Sequence, residues 1–482
     1  MLSSMKINGE LLKKVLDSRP IYSLLRNYSQ NVEDILRLDG NGEEKYNFKE
    51  KYRVLDEKDY ARFFSKRSLK REPALTRSLT SMVYKIGKQM ISLAEGMPNE
   101  GIFPFDRMQM TMKNGNKLVL EENELAMALQ YLPSQGLPSL LKLLRELQED
   151  LHRPPSLDRD VLITNGAQHG IYQCIDMLVD PGDPVITTEY TFTGYNSALR
   201  PYDPEVLRIP EDEDGLIPET LEAVLEERLS RGLIMPRVLY LIPTGNNPTG
   251  TIIPAARRRK IYELACRYDF LIIEDDPYAF LNYSNVKPPS FLSMDQCGRV
   301  IRLDSVSKVV CAGLRGAWMT APAPFIERAE RHSQAELLHP CTLSQVIIQR
   351  LLSERSDLAA HFHSARSFYE QRCGALGDAL RGLSHLAQWS RPKAGLFYWL
   401  KLQGVSDVYN MTFHTALEHG LMLCPGQAFQ YDHSAPSQHL RLTFTRIKLE
   451  DINTAVRRLA DVIDIEQKME LERLPQRFAT ER

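Results

Sequence analysis

No apolar run in this chain approaches the ~20 residues that a membrane-spanning helix requires. That absence excludes a membrane-embedded protein and points to a soluble one. Charge of one sign is also missing: 60 Lys and Arg against 62 Asp and Glu leave a net charge of −2. Such a balance gives no reason to expect nucleic acid or an acidic surface as partner. Cysteine is sparse and odd in number, seven in all, with no metal-ligand spacing and no disulfide framework. A reducing compartment fits that usage. Internal repeats and low-complexity tracts are lacking too. What remains is core-forming sequence: 482 residues, 43% hydrophobic and 25% charged. That suffices for two or three domains, or for one long α/β architecture.

The first 30 residues carry Lys6, Lys13, Lys14, Arg19 and Arg26 against only Glu10 and Asp17, with Leu11, Leu12, Val15 and Leu16 on one helical face. They read as a mitochondrial presequence, with Arg26-Asn27-Tyr28-Ser29 as a processing site, or as a cytosolic extension bearing a surface helix. Residues 31–58 are charged, with an Asp39-Gly40-Asn41-Gly42 turn, and read as a loosely attached linker. Order is expected to begin near Tyr60-Ala61-Arg62-Phe63-Phe64.

Ile91-Ser92-Leu93-Ala94 is a short apolar run that ends in a Glu95-Gly96-Met97-Pro98-Asn99 loop. After Tyr131-Leu132-Pro133-Ser134, Pro138 opens an amphipathic helix through Leu140, Leu141, Leu144 and Leu147. From Asp160 short apolar segments alternate with helical ones. The strands are expected at Val161–Thr164, Val185–Thr188, Val206–Ile209, Val238–Ile242, Phe270–Ile273 and Ile301–Leu303. Being apolar on both faces, they suit a largely parallel sheet covered by helices, with the ligand site at the strands' carboxyl ends. Helical periodicity then runs from Pro324 to Arg381. Strands at Gly395–Leu400 and Leu440–Phe444 and a final helix over Leu449–Ile465 form a smaller α+β domain.

The polar clusters all fall at strand ends. Gly166-Ala167-Gln168 lies between a strand and a helix, where free N–H groups and the helix dipole favour a phosphate; any strand-helix turn also needs small residues. Gly245-Asn246-Asn247-Pro248-Thr249-Gly250 is either a turn or a ligand loop. In Glu274-Asp275-Asp276-Pro277-Tyr278 the acids could serve as metal ligands, as a helix cap or as partners of a buried cation, and no nearby histidine supports a metal. Ser305-Val306-Ser307-Lys308 presents a lysine, and Arg315 follows seven positions later. That lysine is a solvated surface residue or an amine anchored beside a phosphate site.

Taken in order, asparagine, aspartate, tyrosine, lysine and arginine at these strand ends resemble the fold-type-I pyridoxal-phosphate aminotransferases, in the kynurenine/2-aminoadipate branch of the class I family. The resemblance covers about Asp59 to Val462 and includes Ile91–Ala94, Ala128-Leu129-Gln130-Tyr131, Gly245–Gly250, Ile272–Tyr278 and Ser305–Arg315. It implies an α/β fold with a mostly parallel central sheet flanked by helices and a smaller α+β domain. The expected division is an extension over 1–58, an arm and part of the small domain over 59–108, a large cofactor domain over 109–365 and a small domain over 366–482. It also implies a homodimer with shared active sites, no metal, and an amino-acid donor paired with a 2-oxo acid such as 2-oxoglutarate.

Residue by residue, the resemblance implies that Lys308 anchors the cofactor covalently and carries a proton between the substrate α-carbon and the cofactor. Asp275 would face the pyridine nitrogen and keep it protonated. Asn247 and Tyr278 would bond the ring's phenolic oxygen, and Phe192 would stack on the ring. Ala167, Gln168, Ser305, Ser307 and Arg315 would hold the phosphate. Tyr131 would reach the phosphate of the neighbouring subunit. Arg441 would take the substrate carboxylate, near Gly96, and Arg77 would meet the substrate side chain or remain a surface arginine. Two positions depart from the family pattern: Ala167 stands where a hydroxyl is expected, and Phe192 replaces a tyrosine. Both changes leave the chemistry intact and bear on substrate preference.

Four further residues carry no assigned chemistry. His169 reads as a helix-surface residue, Cys311 as small packing or a redox-sensitive thiol, and His339-Pro340 as the closure of a loop near the substrate. Two other functions share parts of this pattern. β-Elimination from cysteine conjugates would use the same lysine, and an aminotransferase-like transcription regulator would need a DNA-binding domain, for which residues 1–58 show no helix-turn-helix pattern.

Overall fold

The computed structural model describes residues 47–86, 93–94, 96–284 and 286–480. The expected presequence, its processing motif and the 39–42 turn lie outside the described residues, as do Ile91, Ser92 and Glu95.

A seven-stranded sheet forms the centre: β1 Arg159–Asn165, β2 Pro184–Thr188, β3 Glu205–Ile209, β4 Val238–Leu241, β5 Leu271–Asp275, β6 Val300–Ser305 and β7 Gly316–Pro322. Their spatial order is β1-β7-β6-β5-β4-β2-β3. Every residue of β2, β4, β5, β6 and β7 is buried, as strands covered on both faces must be. The period of two sorts their side chains. Val238, Tyr240, Leu271 and Ile273 join the core on one face, and Leu239, Leu241 and Ile272 join the other. Each buried aliphatic side chain contributes about 1.5–3 kcal/mol relative to exposure.

Six of the strands are parallel. The seventh, β7, runs antiparallel between β1 and β6 and was not expected from the sequence. Its residues, Gly316-Ala317-Trp318-Met319-Thr320-Ala321-Pro322, are mostly poor strand formers. Burial between two partners, rather than propensity, makes them a strand. A second departure concerns the helical stretch from Pro324, which is three helices, Ala323–Glu336, Thr342–Ser353 and Arg355–Leu380. His339-Pro340 lies in the first break, where proline cannot continue a helix.

The smaller sheet comprises β8 Ala387–Gln388, β9 Phe397–Leu402, β10 Cys424–Pro425 and β11 His439–Thr443, in the antiparallel order β8-β9-β11-β10. The last helix runs over Ile452–Thr480, longer than its expected end at Ile465, and packs on Arg355–Leu380. That 26-residue helix crosses position 365, so no break in the chain marks the expected start of the small domain. The two sheets share one apolar core, which includes Leu303 of the large sheet, Leu400 of the small one, Phe280 and Val462. At their junction Gly245 (φ +64°) lies against Gly395. A Cβ on Gly245 would fall 2.5 Å from the Gly395 nitrogen, so only glycine admits this approach.

Order also begins earlier than Tyr60. Phe48, within the expected linker, is buried against Tyr262 with ring centroids 4.8 Å apart, and Leu55 enters the main core. A charged composition concealed two anchoring side chains.

Candidate active site

The carboxyl ends of β4, β5 and β6 bring the polar clusters together. Asp275, the last residue of β5, is 2% exposed. Its Oδ2 accepts a 2.7 Å hydrogen bond from the Tyr240 hydroxyl, while Oδ1, also buried, has no hydrogen-bond partner among the described residues. Burial pushes this carboxyl up to about 7, with Asp276 and Asp304 adding to the shift and Tyr240 and Arg302 opposing it.

The flanking acids have a different task. Glu274 accepts N–H groups of Phe291 and Leu292, at 2.9 and 3.1 Å, and so caps the short Phe291–Met294 helix. Glu274, Asp276 and Asp304 surround the buried guanidinium of Arg302 at 3.0, 3.2 and 2.7 Å. Of the roles open in sequence, helix cap and partner of a buried cation are the ones found.

Lys308 lies in the turn after β6 and is exposed. Partial burial of its amine and the positive charges of Arg315 and Arg441 lower its pKa, against the pull of Asp275. Tyr278 is buried beside Asp275; burial and that carboxylate push its hydroxyl up, opposed by Arg441 and Asn247. Arg441, on β11, donates from Nη1 to Asn247 Oδ1 at 2.9 Å. Its guanidinium lies over the rings of Phe397 and Phe429, 4.3 and 4.8 Å from their centroids, and its Nε is buried without a partner. Lys308, Asp275, Tyr278, Asn247, Arg315 and Arg441 are thus one electrostatic neighbourhood drawn from both sheets.

A second group forms an anion cradle. Gly166 (φ +80°) precedes the helix Ala167–Leu178, and the Arg315 guanidinium packs so closely on it that a Cβ would fall 2.0 Å from Nη2. Arg315 itself has a left-handed backbone (φ +51°) and donates to the Ala312 carbonyl at 3.1 Å. Ser305 Oγ lies 3.0 Å from Ser307 Oγ and accepts the Ser307 N–H at 3.1 Å, so both hydroxyls are ordered. Gln168 donates to the Gly194 carbonyl at 2.9 Å, and the half-buried Phe192 ring flanks the same glycine.

Three expected substrate residues lie outside this neighbourhood. Arg77 is buried, with its guanidinium on the Leu132 carbonyl and Ser134 Oγ, so it is not a surface arginine. Tyr131 is 41% exposed and stands edge-on to His339 at 5.7 Å. Gly96 is exposed with open space around it. Cys311 is exposed, so it is not packing.

His169 corrects the surface reading. It is buried, its Nε2 lies 3.0 Å from Glu336 Oε2, and the same oxygen is 3.0 Å from His332 Nδ1. The three ligand atoms are close enough together for a metal, but the hydrogen bonding argues otherwise. The Asn165 N–H donates to His169 Nδ1 at 3.1 Å. The ring proton therefore resides on Nε2, which donates to Glu336 and has no lone pair to offer an ion. Glu336 is far away in sequence, so nothing local signalled this contact.

A family model described as aminotransferase class I and II matches residues 90–459. The chain belongs to that family. It is 40% identical over 420 residues to the mouse kynurenine/alpha-aminoadipate aminotransferase, mitochondrial, covering 84% of this chain and 99% of that protein. Among solved structures, the aminotransferase Aro8 of Candida albicans superposes with TM-score 0.75 at 27% identity, covering 86% of this chain and 100% of that one. A Pyrococcus horikoshii kynurenine aminotransferase, solved with PMP, gives TM-score 0.69 at 31% identity over 85% of this chain and 98% of that one. The protein is therefore a transaminase that works with pyridoxal 5′-phosphate.

The residues present fit that cofactor. A buried carboxylate oxygen without a partner suits a ring N–H⁺. The guanidinium of Arg315 over Gly166, with two ordered serine hydroxyls and a helix N-terminus, suits a phosphate dianion. Gly166→Ala must displace the Arg315 guanidinium. The apoenzyme's affinity for pyridoxal phosphate is expected to fall about 10- to 100-fold, the value of one charge-assisted contact, with circular dichroism unchanged. Spectrophotometric titration of the apoenzyme measures it; an unaltered dissociation constant contradicts this phosphate site.

Proposed function

We propose that this transaminase moves the amino group of kynurenine, 2-aminoadipate or an aromatic L-amino acid to a 2-oxo acid such as 2-oxoglutarate. The observation that carries the reading is the Arg441–Asn247 pair near Lys308, a guanidinium fixed on two aromatic rings that suits a substrate carboxylate. The substrate class is supported by the names of the relatives, which act on kynurenine, aminoadipate and aromatic amino acids.

Each side chain has a task that its surroundings favour. Arg441 holds the α-carboxylate through its planar fork, and its loss from solvent on the ring faces strengthens the contact. Lys308 Nζ anchors the cofactor and, when freed, takes the proton from the substrate α-carbon; burial and then the neighbouring arginines lower its pKa, which favours that role. Asp275 holds a proton on the ring nitrogen, and Asn247 and Tyr278 flank the phenolic oxygen. Gln168, Ser305, Ser307, Arg315 and the N–H of Ala167 hold the phosphate, and Phe192 covers the ring. Once bound, the cofactor supplies the electron sink that makes the α-carbon acidic.

A second copy of the chain completes this reading. Leu75, Leu79, Met82, Phe105, Met110 and Tyr131 are exposed on the 75–131 region, which leaves apolar side chains there for a second copy to cover. In a homodimer Tyr131 would reach the partner's phosphate, and Arg77 and Gly96 would face the substrate. The mitochondrial names of the mammalian relatives and the basic residues of 1–30 support a mitochondrial location over a cytoplasmic one. Imaging of the full chain with a C-terminal tag decides between them.

A panel of amino donors with 2-oxoglutarate, scored by kcat/KM, should favour kynurenine, 2-aminoadipate or the aromatic amino acids by at least about 10-fold over alanine and aspartate. A flat profile contradicts the substrate class.

Subunit sharing is tested by complementation. Lys308→Ala and Tyr131→Phe are each expected to be impaired. An equal mixture, refolded together, should recover roughly one quarter of wild-type activity, because half the dimers are mixed and each holds one intact site. No recovery contradicts a shared site.

A further inference from the structure

The hydrogen bond to Asp275 comes from a strand that is otherwise apolar. Tyr240 stands on the same face of β4 as Val238 and adjoins the face of β5 that carries Asp275. Its ring stacks on Tyr195, with centroids 3.9 Å apart and planes 6° from parallel, and both rings are fully buried. A ring held in this way cannot swing, so its hydroxyl is a fixed donor to Asp275 Oδ2 at 2.7 Å. Fixing one carboxylate oxygen also fixes the other, and Oδ1 is the one left without a partner.

We propose that Tyr240 is a positioning residue for the cofactor: its hydroxyl pins Asp275 Oδ2, so that Oδ1 is presented in ionised form to the ring nitrogen. This rests on Asp275 being that nitrogen's partner. Opposing influences act on the Asp275 carboxyl. Burial, Asp276 and Asp304 favour the neutral acid, whereas Arg302 and Tyr240 favour the carboxylate. Cys174, on the helix Ala167–Leu178, and Tyr278 also face Asp275, and Lys308 feels its charge. Among the described residues, the Tyr240 hydroxyl is the one hydrogen-bond donor that opposes the upward push of burial on this carboxyl. Removing the donor makes Oδ1 more basic, moves the proton from nitrogen to oxygen, and leaves a ring that withdraws electrons less strongly.

Tyr240→Phe removes the hydroxyl and keeps the stack. The ring-¹⁵N signal of labelled pyridoxal phosphate bound to the holoenzyme reports the proton directly. In wild type it should be that of a protonated pyridinium. In Tyr240→Phe it should move towards the unprotonated position, equivalent to a change of about one to two pH units in the Asp275–nitrogen balance. kcat should fall about 10-fold with little change in KM. Tyr195→Phe is the control, because it trims the other ring of the same stack, whose hydroxyl has no partner, and it should leave the signal in place. An unchanged signal in Tyr240→Phe, where Asp275→Asn does shift it, overturns the proposal and leaves Asp275 in its role. An unchanged signal in Asp275→Asn overturns both.

Discussion

A carboxylate buried with one oxygen satisfied and the other not is the constraint around which this molecule is arranged. Left unpaired in the interior, a charge costs several kcal/mol, and Asp275 is held there by the sheet itself. Strand periodicity turns Asp275 to the face shared with Tyr240 and the small domain, and turns Glu274 to the opposite face, where Asp276 and Asp304 join it around Arg302. Two adjacent residues therefore do unrelated work. Glu274 secures the strand end from behind, and Asp275 faces the cleft. Arg302, on β6, offsets Asp275, and Lys308, in the turn after β6, feels its charge, which is why its neighbourhood exists only in the folded chain.

The cofactor also explains the electrostatic asymmetry of the cleft. Asp275 is buried, whereas Lys308 and Arg315 are exposed and Arg441 is half-buried. A zwitterionic ring with a phosphate dianion, together with a substrate carboxylate, matches that gradient. Ala167 and Phe192 remove two hydroxyls from the family pattern without altering the gradient.

The sequence revealed what depends on local pattern. Strands β1 to β6 were legible because apolar runs at strand length separated by turns have few other uses, and the strand-end polar clusters followed from them. It concealed what depends on tertiary placement. β7 is made of residues that prefer other conformations and is a strand because β1 and β6 flank it. Tyr240 was indistinguishable from any aromatic strand residue, since nothing near it marks a hydroxyl with a partner 35 positions away. His169 owes its burial to Glu336 and His332 on a distant helix. Phe48 and Leu55 were hidden by the charged residues around them.

The central claim is that Lys308, and no other lysine, holds the cofactor. Reduction of the holoenzyme with borohydride, followed by proteolysis and mass spectrometry, tests it most directly. A single phosphopyridoxyl-modified peptide carrying Ser305-Val306-Ser307-Lys308 is the expected product. Stoichiometric modification of a different lysine would contradict the account.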